Sequence, residues 1–541
     1  MLIIKKLFRR ILLNNSIYDF YLSKNNQAKV LVTPQDPWPG DASIGEIIFQ
    51  GDFNLSNKNK EIISQKLLWK INSNRDFWIE EIHTFSWLRH LKARSGPLAR
   101  KHARKLIIEW LTKNSRWNER TWKLDILARR ISAWTTNLSF LLAEKDEEFA
   151  NILKSNLHKQ IKHLNIFTTK NSLKKLDKIY EKENSSVKKF KILRGLLLSS
   201  VCFEGGEVSY KKSLNLLKEV ISKDFNEDGV HISRLPSAQL SVLGDLVTMR
   251  DIIISAKFDV PEFLSKQITK SSHSLRFFRV LDGTLSVFNG SKRESKFVID
   301  KILNVADGKV RAKGPLTLTS SGYIKLLVPD ACIVLDSLSS KNDIYSTAAH
   351  AMEIYVGKHR LLGSCGSSFS KNKAWKKILK STAAHSAVTI EDSNAFAGED
   401  KRQKSFTKRY TRNGSEIVEL IHYGYYSRYD SICSRKIELG NDGKNIAGLD
   451  KIESKKIIKF SIRFHFSSDI KVSLSLDKQS VVLATKDQGW RFLYEGEVKL
   501  SLDPSIFIED DGRVKNTLQI VLSGSTKKPL TNILWGFKRI S

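Results

Sequence analysis

The sequence predicts a multidomain α+β protein, an all-helical domain built from successive hairpins followed by an antiparallel β-sandwich. Three observations carry this. At 541 residues the chain exceeds the roughly 250–300 at which one hydrophobic core stops growing, so two or three domains are expected. From about residue 60 to 275 apolar residues recur at spacings of three and four; after about 280 they alternate. The expected boundaries are 1–59 for an N-terminal amphipathic helix and turn-rich leading segment, 60–277 for the helical domain and 278–541 for the sandwich.

In the order of the chain, MLIIKKLFRRILL places Ile4, Leu7, Phe8, Ile11 and Leu12 on one helix face and Lys5, Lys6, Arg9 and Arg10 on the other. That pattern suits an interfacial helix on an anionic membrane, or one docked on the protein's own body. It lacks a small-residue cleavage site, so it is not read as a signal peptide, and no run reaches the roughly 18 apolar residues of a spanning helix. VTPQDPWPGDASIGEIIFQGDF is turn-rich, with a strand-like piece at Glu46–Gln50. WIEEIHTFSWLRHLKA, PLARKHARKLIIEWLTK, TWKLDILARRISAWTTNLSFLLAE, FANILKSNLHKQIKHLNIF, KKFKILRGLLLSSVCF, SYKKSLNLLKEVISKDF and SAQLSVLGDLVTMRDIIISAKF follow, each with helical spacing. Beyond 280, segments such as YIKLLVP, ACIVLDS, MEIYVG, SAVTIED, IKFSIRFHFSS and NTLQIVLSG are short strands between Gly, Asn, Asp and Ser turns.

The net charge of +33 at pH 7 creates a field that attracts polyanions. Lys and Arg are scattered and no RNP-type signature accompanies them, so nucleic acid is not the expected partner. Cys202, Cys332, Cys365 and Cys433 form no Cys-x-x-Cys pair and are expected to be buried thiols. Absence of P-loop, GxGxxG, GxSxG and HExxH patterns removes support for nucleotide hydrolysis, dinucleotide redox chemistry, serine hydrolysis and zincin proteolysis.

Seven of the eleven tryptophans lie between Trp69 and Trp134. Most are expected in helix packing, but a tryptophan on the concave side of a helical barrel can stack on a sugar ring; Trp87, with Arg89 two residues on, is the candidate substrate contact. The loop EDGVHISRLPSAQL, Glu227 to Leu240, displays His231 and Arg234 together, with Ser237 able to cap the helix after Pro236. Such a pair can grip a carboxylate and move a proton, or be ordinary turn residues.

Three segments together resemble the heparinase II/III family of polysaccharide lyases and lyase-like proteins. DGVHISRLPSAQLSVLGDLVTMRD is similar to the family's DGGHxERSPxYH helix, AAHAMEIYVGKHRLLGSCG to its HAD-containing strand pair, and WKKILKSTAAHSAVTIED to its STxAHNTVxxD segment. The resemblance covers most of the chain. It implies an incomplete (α/α) toroid joined to the β-sandwich, β-elimination on an acidic, uronic-acid-containing polysaccharide, and a bacterial envelope location, whereas the missing cleavable signal points to the cytoplasm or a membrane face. That reaction needs a group to neutralise the uronate carboxylate as charge builds, a base for the C5 proton and an acid for the leaving oxygen. Carried over by position, His231 and Arg234 match motif residues. Ser233 stands for the usual Glu and Ala238 for the motif Tyr, so His422 and Tyr425 in IHYGYY, with Tyr426 and with His465 in FHF, are the candidate replacement acid or base. His350 and His385 match positions at which some relatives hold a structural metal, here possible zinc, although Ser364 replaces the family aspartate. His385 is accordingly either a ligand at the domain junction or a hydrogen-bonded buried histidine. Loss of the tyrosine at Ala238 favours the alternative of a non-catalytic binder of anionic envelope glycan.

Overall fold

The structure, a computed structural model, describes residues 11–24, 29–53, 69, 76–144, 146–179, 182–337, 349–366, 373–396, 406–509, 513–527 and 529–541. Contacts divide the chain into two compact units. One comprises 1–225, 240–272 and 300–310; the other comprises 226–239, 273–299 and 311–541. A single boundary at 277 therefore does not describe the packing: the chain passes between units several times, because the His231 loop is bonded to strands while Lys296–Asp307 continues the helical pattern.

In the helical unit, Glu147–Phe167, Lys182–Cys202 and Glu207–Asp224 follow the spacing in the sequence, and Lys182–Cys202 packs against both Leu124–Thr136 and Glu207–Asp224. Two segments depart from expectation. Residues Ala42–Phe49 form a helix rather than a strand. Asp41 caps it, its carboxylate accepting from the Ser43 and Ile44 amides at 2.8 and 3.2 Å, a signal that outweighs the β-branched run at Ile47–Ile48. Gly45 lets this helix approach its neighbour, since a Cβ there would lie 2.2 Å from the His90 carbonyl oxygen. The segment read as one helix from 78 to 93 is broken into Asp76–His83 and Leu88–Arg94. Phe85 makes the break at φ 54°, a costly conformation for a bulky residue, while its ring packs against Trp87, Trp110 and Trp134.

In the other unit two antiparallel sheets face each other. The first runs, in spatial order, through Thr317–Leu318, Tyr323–Val328, Ala331–Asp336, Met352–Val356, His359–Gly363, Lys459–Phe466, Val514–Ser525 and Lys499–Ile508, with Val388–Ile390 also paired to Lys459–Phe466. The second runs through Lys471–Leu474, Val481–Ala484, Gly489–Glu495, Leu530–Arg539, Asn445–Ser454, Ser431–Leu439, Ser415–Tyr425 and Phe406–Arg412. Alternation along Ser431–Leu439, buried at every second residue, turns Cys433, Ile437 and Leu439 into one core with Ile354, Phe464, Trp490 and Trp535. The four cysteines are buried free thiols.

Of the amphipathic N-terminal helix, Ile4, Leu7 and Phe8 lie outside the described residues. Ile11 and Leu12 are exposed. No helix among the described residues is long and apolar enough to cross a membrane.

Candidate functional site

The loop carrying His231 and Arg234 is tied to Ser321, Tyr323 and Asp336. The Asp228 carboxylate accepts from the Ser321 amide and hydroxyl at 2.8 and 2.6 Å. The Gln239 side chain closes the loop on itself, accepting from the His231 amide at 2.7 Å and donating to the Gly229 carbonyl at 2.9 Å. The Arg234 backbone, at φ 56°, offers its carbonyl to the Tyr323 hydroxyl at 2.9 Å. Its guanidinium lies 4.5 Å over the Tyr323 ring, donates to the Ser321 carbonyl at 3.0 Å and meets the Asp336 carboxylate at 2.6 Å. Ser237 does not cap the following helix from outside, as its side chain suggested. It lies within Pro236–Ser255, its amide donating to the Ser291 hydroxyl.

The consequence for chemistry is direct. Arg234 is 5% exposed and His231 0%, so neither presents its polar atoms to solvent. The His231 Nδ1 pairs with the Ser233 hydroxyl at 2.7 Å. Serine at the place of the family glutamate thus serves its neighbouring imidazole.

The sandwich histidines form two separate pairs. His350 and His422 meet edge to face with centroids 4.6 Å apart, and burial lowers the pKa of His422 to about 3 and that of His350 well below the ordinary value. Both imidazoles are neutral at pH 7. His385 donates from Nε2 to the Leu379 carbonyl at 3.1 Å, and burial lowers its pKa to about 4. His465 lies on the neighbouring strand, its Nε2 bonded to the Ala383 carbonyl at 2.9 Å and its Nδ1 2.9 Å from the Ser505 hydroxyl. Tyr425 is fully buried and donates to the Val388 carbonyl at 3.0 Å; burial raises its pKa far above the ordinary value. Tyr426 is half exposed.

A zinc site does not fit these residues. The His350 Nε2 is buried without a hydrogen-bond partner, but its ring packs edge to face on His422, and the His385 Nε2 proton is committed to a carbonyl. Among the described residues no three His, Cys, Asp or Glu side chains converge as ligands, and a structural zinc takes four.

Trp87 is 2% exposed. Its indole N–H donates to the Ile82 carbonyl at 3.0 Å, and its ring packs on Phe53 and Phe85, so no face is open to a sugar. Arg89 donates to the Ser86 carbonyl at 2.9 Å and pairs with Asp36 at 3.1 Å.

Residues 313–536 match the family described as Heparinase II/III-like, C-terminal. The chain carries a heparinase II/III-like C-terminal domain. Around this domain the whole fold is that of heparinase III, helical toroid plus β-sandwich: the crystal structure of heparinase III aligns with TM-score 0.73 at 12% identity, covering 97% of this chain and 89% of that one. A heparan sulfate lyase HepC mutant from Pedobacter heparinus aligns at 0.65 and 13% identity over 99% and 91%. Among curated proteins, FtsZ-localized protein C of Caulobacter vibrioides is 26% identical over 526 residues, 91% of this chain and 87% of its own.

The heparinase II/III-like domain also holds polar groups that sequence reasoning passed over. Arg435 and Asp450 form a doubly bonded ion pair at 2.6 and 2.9 Å, both essentially unexposed. Glu353, 1% exposed in a strand buried at all five positions, accepts from the Tyr355 hydroxyl at 2.6 Å and the Val287 amide at 3.1 Å, with Arg360 at 3.5 Å. The signal available in the sequence was a charge at an inward-facing strand position, Glu353 in the apolar MEIYV and Asp450 in the alternating NIAGLDKIE.

Proposed function

We propose that this protein is a lyase-like member of the heparinase fold that binds an acidic polysaccharide of the bacterial cell envelope without cleaving it. The observation that carries the reading is the pairing of Arg234 with Asp336 at 2.6 Å. β-Elimination requires a cationic or hydrogen-bonding group delivered to the substrate carboxylate, and this guanidinium is instead neutralised inside the fold. The candidate proton carriers support the same reading. His231 is enclosed, His422 and Tyr425 are buried in their neutral forms, and Ala238 has no titratable group. A net charge of +33 still favours a polyanion.

The experiment is incubation with a panel of uronate polymers, following salt-dependent retention and the ultraviolet absorbance of unsaturated chain ends together. Retention with flat absorbance is the expected result. A steady rise in absorbance that disappears in His231→Ala overturns it in favour of polysaccharide lyase activity.

A second reading is favoured by the nearly full-length match to FtsZ-localized protein C: the chain acts at the division site through FtsZ. Co-sedimentation with FtsZ polymers from the same organism, with and without competing polyuronate, distinguishes the two.

A further inference from the structure

A cavity of about 310 Å3 opens in the sandwich unit, lined by none of the His231 loop residues or the paired histidines. It is large enough for a single sugar-sized molecule. Every lining residue belongs to that unit, among them Val287, Arg293, Arg360, Ser467, Ser468 and Phe507.

Arg360 decides what the cavity can hold. The residue is 7% exposed, so its charge is largely removed from water. Its Nε donates to the Ser467 hydroxyl at 2.9 Å, its Nη1 reaches Glu353 only at 3.5 Å, and its guanidinium lies 4.7 Å over the Phe507 ring. Nη2 has no protein partner among the described residues. Burial pushes the Glu353 carboxyl above its usual range, which weakens its pairing with Arg360 further. A buried guanidinium with an open edge calls for a planar oxyanion, and carboxylate matches its fork.

The remaining walls select the rest of the ligand. Ser467 accepts from Arg360 and keeps its own proton to donate; Ser468 and the Asp469 carboxylate add a donor and an acceptor. Leu285, Val287 and Phe507 supply apolar surface against carbon. The other charges at the rim are already paired, Arg293 with Asp282 and Glu509 with Arg513 and Lys515. One open positive charge beside Asp469 suits a monoanion better than a dianionic phosphate.

We propose that this cavity binds a small polyhydroxylated monocarboxylate, with Arg360 gripping the carboxylate and Ser467, Ser468 and Asp469 meeting hydroxyl groups. The assignment is independent of polymer binding, since it concerns one small pocket rather than a long basic surface.

Titration calorimetry on the full chain tests it, with D-gluconate as probe and sorbitol and glycerol 3-phosphate as comparators. Gluconate binds, sorbitol does not, and glycerol 3-phosphate is at least tenfold weaker. Arg360→Gln reduces gluconate affinity tenfold to a hundredfold, the loss expected for a charge-assisted bond. Ser468→Trp, a filling substitution at a partly exposed position, abolishes binding while leaving the fold intact, and so covers the case in which Arg360→Gln fails to fold. Retention on polyuronate is unchanged in Ser468→Trp. Absence of gluconate binding to the natural chain, equal binding of sorbitol, preference for the phosphate, or undiminished binding in Ser468→Trp each overturns the assignment. None of these outcomes bears on polymer retention, which is read separately.

Discussion

The Arg234 Nη2 lies 2.6 Å from the Asp336 Oδ1, and each side chain is only 6% exposed. A loop residue is thereby fastened to the end of strand Ala331–Asp336 by a buried charge pair. Removing one partner leaves the other buried and uncompensated, which costs about 3–5 kcal/mol, whereas replacing both by apolar groups of similar volume is far less damaging. Arg234→Met is therefore expected to destabilise the sandwich unit strongly, and Arg234→Met with Asp336→Leu to recover much of the loss. Hydrogen exchange on peptides from 321–336 measures it. A double variant as unstable as the single one contradicts a structural role for the pair.

The buried histidines set the pH dependence. Unfolded histidine titrates near 6.5, whereas His422 and His465 are held near 3 and His385 near 4 in the fold. Between these values the unfolded chain binds protons that the native chain does not, so stability falls as pH drops below about 6.5 and is fully restored above it. At pH 5 each of His422 and His465 contributes about 2 kcal/mol of this loss, taking 1.4 kcal/mol per pKa unit. Thermal unfolding between pH 7.5 and 5 should show the decline, and His422→Gln should reduce it by that residue's share. A midpoint independent of pH in this window contradicts the burial of these rings.

Trp87 and Arg89 are separable by substitution. Trp87 fills the aromatic core with Phe53 and Phe85, so Trp87→Ala should cost about 3–5 kcal/mol in the helical unit. Arg89→Gln, at a partly exposed position paired with Asp36, should cost less than about 1 kcal/mol. Polyuronate retention by each folded variant checks whether either side chain touches the polymer: unchanged retention is expected for Trp87→Ala.

The sequence was most legible where periodicity is local. Spacing of three and four located most helices from 97 to 255, though not Lys170–Ile179, and alternation located strands such as Ser431–Leu439. The helix at 42–49 was misread because Ile47–Ile48 favours a strand on composition, while the Asp41 cap that decides it is a single hydrogen-bonded side chain. The burial of Arg234 was not legible, because its partners Ser321, Tyr323 and Asp336 lie some ninety to a hundred residues away. Trp87 was ambiguous for the same reason: helical spacing gives a face but not whether a neighbour covers it.

Arg435 is the most constrained charge in the sandwich. Besides its two bonds to Asp450, its Nη1 donates to the carbonyls of His350 and Ser386, each at 3.0 Å, and Asp450 accepts a third bond from the Trp535 indole at 2.8 Å. One guanidinium thus ties the segments bearing His350 and His385 to the centre of the second sheet. Lysine keeps the charge but cannot span a carboxylate and two carbonyls at once, so Arg435→Lys leaves buried acceptors unsatisfied. It should cost about 3–5 kcal/mol, close to the cost of Arg435→Met, whereas removal of an exposed pair such as Lys266–Glu262 should be tolerated. Hydrogen exchange at the amides of 349–356 and 385–390 should rise together in Arg435→Lys. Faster exchange in only one of these segments would show that the guanidinium does not couple them.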